Sequence, residues 1–269
     1  MRPSLAAVVI TSLVMCCEAG AQSDTASRSA TFLNRRDLLP VGLALGGTVV
    51  ISHFDTRIAR WSQQPAFQTD SRRRISTDIS KVNETSLTIL GLASYGVGRL
   101  THAKTATDIA LHATEAVVLA SVASQVIRGP LGRTRPYVTH DSDQYKFKPF
   151  GGFFGDTTFN NRAFPSIHTS SSMAVATVLV LETNRRHPDA TPFLAPLLYA
   201  AAALPGLARI HLDQHWASDI ASGAFMGVFA GYKVVSYSHD HPDNRFDRIL
   251  LRATVAPSPN GGMLLGLGF

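Results

Sequence analysis

The stretch "TPFLAPLLYAAAALPGLARIHLDQHWASDIASGAFMGVFAGYKVV", Thr191 to Val235, decides how this chain is read. Two apolar runs, 191–208 and 217–237, flank a polar cluster of Arg209, His211, Asp213, His215 and Asp219. The length of the runs and their Ala, Leu and Val content favour helices over strands. Four further segments of the same kind lie near 38–54, 85–99, 107–127 and 168–182. The expected fold is therefore all-α, a helical bundle of about six core helices. A membrane span needs about 20 mostly apolar residues. Segments such as 116–127 and 220–232 are shorter than that between charges, and 191–208 carries Pro192, Pro196 and Pro205. Buried bundle helices and membrane spans both remain open.

The connections differ in character. "RWSQQPAFQTDSRRRISTDIS" (60–80) reads as a charged, broken link, with Arg72, Arg73 and Arg74 on a solvated or membrane-facing surface. Residues 137–164 have no clear period and are rich in aromatics, Gly and Asn. Connections this long are uncommon unless functional, which suggests a lid or substrate-contacting loop. In the tail, 241–269, two short runs are joined by "PSPNGG", and Asn260-Gly261-Gly262 is turn chemistry for a short C-terminal β-hairpin.

Residues 1–21 have the form of a signal peptide: Arg2, an apolar run from Leu5 to Cys17, and small residues at Ala19 and Ala21. The run is short for a permanent anchor, and Met15 is bulky for a lipoprotein site at Cys16. A polar leader follows over 22–36, then a helical domain over 37–240. Both cysteines, Cys16 and Cys17, fall in the leading segment, so the mature chain is expected to have no disulfide and no thiolate chemistry. The chain of 269 residues is 45% apolar and only 16% charged, with a net charge of +6. Its mean hydropathy is +0.08. That basic balance favours anionic partners: nucleic acid, anionic lipid or phosphorylated substrates. An exported chain argues against nucleic acid.

Three stretches carry chemistry. "RGPLGRTRPY" holds Arg128, Arg133 and Arg135 around a Gly-Pro that is expected to stop the helix of 107–127 and throw the arginines into a turn. Guanidinium forks suit phosphate oxygens; taken alone, a solvated basic turn serves as well. "FPSIHTSSSM" places Ser166 as a natural N-cap and His168 in the first turn, where backbone N–H groups are free for an anion. A histidine there can equally be structural. In the opening stretch, His211, His215 and Asp219 are spaced four apart, as metal ligands on one helical face would be. Pro205 and Gly206 argue against one continuous helix, and no third strong ligand is evident. With a helix beginning near His215, Asp219 instead fixes the imidazole tautomer.

Arg128-x6-Arg135-Pro136, Pro165-Ser166-x-His168 and Arg209-x5-His215-x3-Asp219 together resemble the tripartite signature of the type 2 phosphatidic acid phosphatases. That superfamily also holds bacterial acid phosphatases and vanadium haloperoxidases. Its pattern is K-x6-R-P, P-S-G-H and S-R-x5-H-x3-D, and the resemblance covers about 107–232. Arg128 stands for the usual Lys, Ala208 for the Ser and Ile167 for the Gly. Ile167 would be strained at positive φ, but a helical backbone tolerates it.

The resemblance implies a metal-independent phosphatase acting through a phosphohistidine, with no cofactor and a phosphorylated, lipid-like substrate. His215 would attack and Asp219 would orient it. His168 would protonate the leaving oxygen and later activate water. Arg128, Arg135 and Arg209, with Ser166 and the N–H of Ile167, would bind phosphate. His211 and Asp213 receive no role. A vanadium-dependent haloperoxidase and a non-catalytic binder of anionic lipid are the alternatives, although the chain is short for a haloperoxidase. The expected location is the periplasm, or a membrane with the site facing it.

Overall fold

A computed structural model of the chain describes residues 32–153, 159–241, 254–257 and 263–266. The segment expected to be a signal peptide and most of the expected polar leader lie outside these residues. So do 242–253, 258–262 and 267–269, including the turn expected at Asn260–Gly262, and the hairpin expected in the tail is not supported.

Over the described residues between 32 and 241 the architecture is all-α. The helices are α1 (Leu38–Ser52), α2 (Asp55–Ser62), α3 (Asp70–Ile79), α4 (Glu84–Leu100), α5 (Lys104–Leu131), α6 (Pro136–Thr139), α7 (Ile167–Arg186), α8 (Thr191–His211) and α9 (Ala217–Asp240). All six apolar segments are helices, as expected. The link 60–80 is more ordered than its charge suggested. Thr69 caps α3 by accepting from the Arg72 N–H, so the arginine run is helical rather than broken.

Two expected helix ends fall elsewhere. Gly129-Pro130 does not stop α5, which runs on to Leu131 and closes at Gly132 in the left-handed region (φ 60). A proline so near the end sacrifices little of the backbone ladder. At Gly132 a Cβ would lie 1.8 Å from the Lys148 carbonyl oxygen, so the position demands glycine twice over. Arg128 is consequently in the last helical turn, not in a loop. Similarly, Pro205 and Gly206 do not break α8, which continues to His211.

The core is made of small residues. Ala113, Ala116, Ala120, Ala174 and Ala230 pack with Val117, Val178 and Val234 where α5, α7 and α9 meet. The α7–α9 contact is close: a Cβ on Gly227 would sit 2.2 Å from the Ser170 carbonyl oxygen. Polar contacts add to it, with Ser124 Oγ and Ser170 Oγ 3.2 Å apart between α5 and α7. The large apolar residues face outward instead. Leu43 and Val49 on α1, Ile89 and Leu92 on α4, Val122 and Val126 on α5, and Phe193 and Leu197 on α8 are all exposed. Small residues inside and large apolar ones outside are the inverse of a water-soluble bundle. The protein is membrane-associated. Helix α5 and the segment 188–211 are each long and apolar enough to cross a bilayer, and the bent pair α1–α2 would make a third span if counted as one.

Candidate active site

The core helices α5, α7, α8 and α9 alternate in direction along the chain, so α7 and α9 run parallel, with Gly223 beside Ser166 and Gly227 beside Ser170. The end of α5, the start of α7, the end of α8 and the start of α9 therefore meet at one end of the bundle. Those four termini carry Arg128, Ser166 to His168, Arg209 and His215 to Asp219. The three sequence stretches thus form one site.

Asp219 is at its centre. It is the third residue of α9, and its Oδ2 accepts the Trp216 backbone N–H at 2.8 Å, which closes the helix start. The same Oδ2 lies 3.4 Å from His215 Nδ1. Its Oδ1 accepts from Arg133 Nη1 at 2.6 Å. His215 is buried in the turn just before α9, and its Nε2 has no hydrogen-bond partner in the protein. Burial, followed by the nearby charges of Arg135, Arg209 and Arg128, holds the His215 imidazole well below its ordinary pKa. The ring is therefore neutral, with Nδ1–H toward Asp219 and a lone pair on Nε2.

Three arginines lie within electrostatic reach of that ring. Arg128 donates from Nη2 to the Pro165 carbonyl at 2.8 Å, and its buried Nε is unpartnered. Arg209 likewise has a buried, unpartnered Nε, while its Nη2 reaches Gln214 Oε1 at 3.3 Å. Arg135 donates from Nε to the Phe159 carbonyl at 3.0 Å and from Nη1 to the same Gln214 Oε1. His168 is half-buried within electrostatic reach of all three guanidiniums. Unsatisfied buried donors are rare in native proteins and mark sites built for a ligand. Three clustered cations, two of them with idle buried donors, form an anion receptor.

Ser166 is the N-cap of α7 in position only. Its hydroxyl accepts from Thr169 Oγ1 at 3.1 Å and makes no capping bond, so the backbone N–H groups of the first turn keep their capacity. Ile167 is helical, outside the positive-φ region, and 1% exposed. It lies in the core rather than at a pocket mouth. The long connection is partly built into the site. Phe159 receives Arg135, and Asn160 Oδ1 accepts from the Tyr137 hydroxyl. Residues 154–158 lie outside the described set.

Arg133 was read with Arg128 and Arg135 as one basic turn, and two acidic residues near the site were not singled out by sequence. Arg133 is not a phosphate ligand. It is 2% exposed, and its guanidinium is divided among Asp219, Asp55 Oδ2 (2.7 Å), Ser218 Oγ (2.7 Å) and the Gln144 carbonyl. Asp55, at the start of α2, also accepts the Ser218 backbone N–H at 2.8 Å. Glu84 at the start of α4 lies within electrostatic reach of Arg128 and Arg209. Neither Asp55 nor Glu84 has a local motif.

The suggested metal triad does not form. His211 turns its Nε2 to the Phe67 carbonyl at 3.0 Å, away from His215. Asp213 faces Asp141, and burial followed by that second carboxyl pushes its pKa up to about 8.

A helical bundle with a histidine–aspartate pair near clustered, partly unpaired arginines is a fold with a site suited to a bound anion. The PAP2 superfamily model matches residues 109–243, half of the chain, and the chain belongs to that superfamily. A lipid A 1-phosphatase from Porphyromonas gingivalis is 37% identical over 82 residues, which is 30% of this chain and 17% of that protein. The chain thus matches only a small part of that relative. The fold is similar to a crystal structure of a transmembrane PAP2-type phosphatidylglycerolphosphate phosphatase from Bacillus subtilis. The TM-score is 0.55 at 17% identity, covering 77% of this chain and 98% of that one.

Proposed function

We propose that the protein is an exported, membrane-embedded phosphatase that removes phosphate from lipid phosphates. The observation that carries this reading is the unpartnered Nε2 of buried His215, within electrostatic reach of Arg128 and Arg209, whose Nε atoms are also idle. Arg128, Arg135 and Arg209 hold the non-bridging oxygens, helped by the free N–H groups at the start of α7. Phosphoryl transfer needs positioning and charge neutralisation above all, and guanidiniums supply both without a metal.

His215 Nε2 attacks phosphorus, and the bond to the lipid oxygen breaks. His168 gives that oxygen a proton. The dianionic substrate beside His168 favours its protonated form before the step. Asp219 stabilises the cationic ring of the phosphohistidine. Water, deprotonated by His168, then attacks phosphorus, the N–P bond breaks, and inorganic phosphate leaves. The exposed apolar helices α1, α4, α5 and α8 face lipid, which suits a substrate delivered from the membrane. The expected signal peptide would put the site on the periplasmic face.

The test is acid-quench trapping with a phosphorus-labelled lipid phosphate on purified protein. Label should appear on wild type and be absent from His215→Ala, while vanadate inhibits competitively and turnover survives chelator. Equal labelling of His215→Ala overturns the mechanism. Halide oxidation on adding vanadate, with no phosphate released, would assign the protein to the haloperoxidases instead.

A further inference from the structure

At the opposite end of the bundle lies a second cluster that the proposed chemistry does not use. His112 on α5, Glu182 on α7 and His239 on α9 bring one ligand atom each to within 4.8 Å of one another. Both imidazoles converge on one oxygen. His112 Nδ1 is 2.7 Å and His239 Nε2 is 2.9 Å from Glu182 Oε1. Glu182 and His112 are buried, whereas the His239 side chain is 29% exposed and leaves a way in. Arg186 holds the other carboxylate oxygen of Glu182, in the manner of a partner that orients a metal ligand from outside. Asp108 lies one turn before His112 on α5 and within electrostatic reach of the whole group. Two carboxylates thus face one guanidinium, a local excess of negative charge for a cation to balance.

We propose that His112, Glu182 and His239 bind a divalent transition-metal ion of the zinc type. Two imidazoles and one carboxylate are a known zinc ligand set, with the fourth position left for water or Asp108. Bonds of about 2.0–2.2 Å need ligand atoms somewhat more than 3 Å apart. Small side-chain rotations open the present contacts that far, and the ion displaces the protons now bridging histidine to glutamate. The three ligands come from the three helices that meet in the core. Helical rise puts them about 20–30 Å from Arg128, His168 and Asp219 on the same helices. The ion would therefore clamp the far ends of α5, α7 and α9 and take no part in turnover.

The test uses the full chain in detergent, without any polyhistidine tag, stripped of metal and titrated with cobalt(II) and zinc(II). One equivalent of cobalt should give the visible absorption of a four-coordinate site and be displaced by zinc, which should raise the melting temperature. His239→Gln, at the partly exposed ligand, should fold and bind at least about tenfold more weakly. His215→Ala should bind as wild type does. No stoichiometric binding to wild type, equal binding by His239→Gln and His112→Gln, or loss of binding in His215→Ala would each overturn the proposal.

Discussion

Arg133 Nη1 donates to Asp219 Oδ1 at 2.6 Å, and so holds from behind the carboxylate that His215 faces. Its other terminal nitrogen donates to Asp55 at 2.7 Å. Arg133 therefore serves the orientation of the proposed nucleophile, His215, and ties α2 to the start of α9. Removing it leaves two buried carboxylates without their cation, and breaking a buried pair in this way costs about 3–5 kcal/mol. Arg133→Ala should melt far below wild type. Arg133→Lys should fold better yet lose kcat more than it raises KM, because one ammonium cannot span both acids. A lysine variant with wild-type kcat would show that Asp219 needs no such support.

His215→Ala should lower phosphate release by at least about 10⁴-fold, as loss of a nucleophile does. Asp219→Asn keeps the nucleophile and should cost less, about 10²–10⁴-fold. Because Asp219 also receives Arg133, the asparagine variant should lose stability too, whereas His215→Ala should not. Activity assays and thermal melts on the same preparations separate the two effects.

The six core helices and the three stretches of the candidate site were legible because each is a local run of residues. Arg128 to Arg135, Ser166 to His168 and Arg209 to Asp219 all read within a few helical turns. What escaped is held by distant pairings. The Arg133–Asp55 bond spans 78 residues and the Ser218–Asp55 bond spans 163. No spacing rule links such positions, so the role of Arg133 could not be told from those of Arg128 and Arg135. Helix α3 was hidden for a different reason. Its apolar content is low, and only the Thr69 cap marks where it begins. The membrane question was open in sequence because mean hydropathy averages an Ala- and Ser-rich interior with a Leu- and Val-rich exterior. Only packing shows which faces outward.

Gln214 joins two of the arginines through one oxygen, accepting from Arg135 Nη1 and from Arg209 Nη2 at 3.3 Å. A hydrogen bond to a charged group contributes about 1.5–3 kcal/mol. Gln214→Ala should raise KM about tenfold or more with a smaller change in kcat, because the arginines lose their shared anchor. Gln214→Glu should be worse, since its carboxylate competes with phosphate for the same cations. Steady-state kinetics on a soluble phosphate ester would distinguish the two, and an unchanged KM in both would remove Gln214 from the site.

Asp213 should make the protein less stable as pH rises. Its folded pKa, about 8, lies above the ordinary value of 3.8. Between those values the native state holds a proton that the unfolded chain releases, so stability falls with rising pH across that window. Asp213→Asn removes the titration and can occupy the same left-handed backbone (φ 58). Melting temperatures measured between about pH 5 and about pH 9 should fall less steeply for the variant than for wild type. Parallel curves would show that the Asp213–Asp141 pair does not share a proton.

Ile167 occupies the position where the family pattern has glycine, and its surroundings determine what reversing that difference does. The residue opens α7 with helical backbone and is 1% exposed. Positive φ is absent, so glycine would relieve no strain there. Truncating a buried isoleucine removes its contacts and leaves a cavity, which typically costs about 2–5 kcal/mol for the change to alanine. Glycine in place of alanine adds up to about 1 kcal/mol through helix propensity, less at a first helical position. Ile167→Gly should therefore lower the melting temperature markedly, and Ile167→Val only slightly, by the equivalent of about 0.5–1.5 kcal/mol. Both keep the Ile167 N–H at the start of α7, where the proposed phosphate contact is made. Catalysis per folded molecule should thus persist in each. A glycine variant that melts at or above wild type would mean that Ile167 is strained rather than packed. One that stays folded but loses turnover would mean that its side chain, and not only its backbone, positions Ser166 and His168.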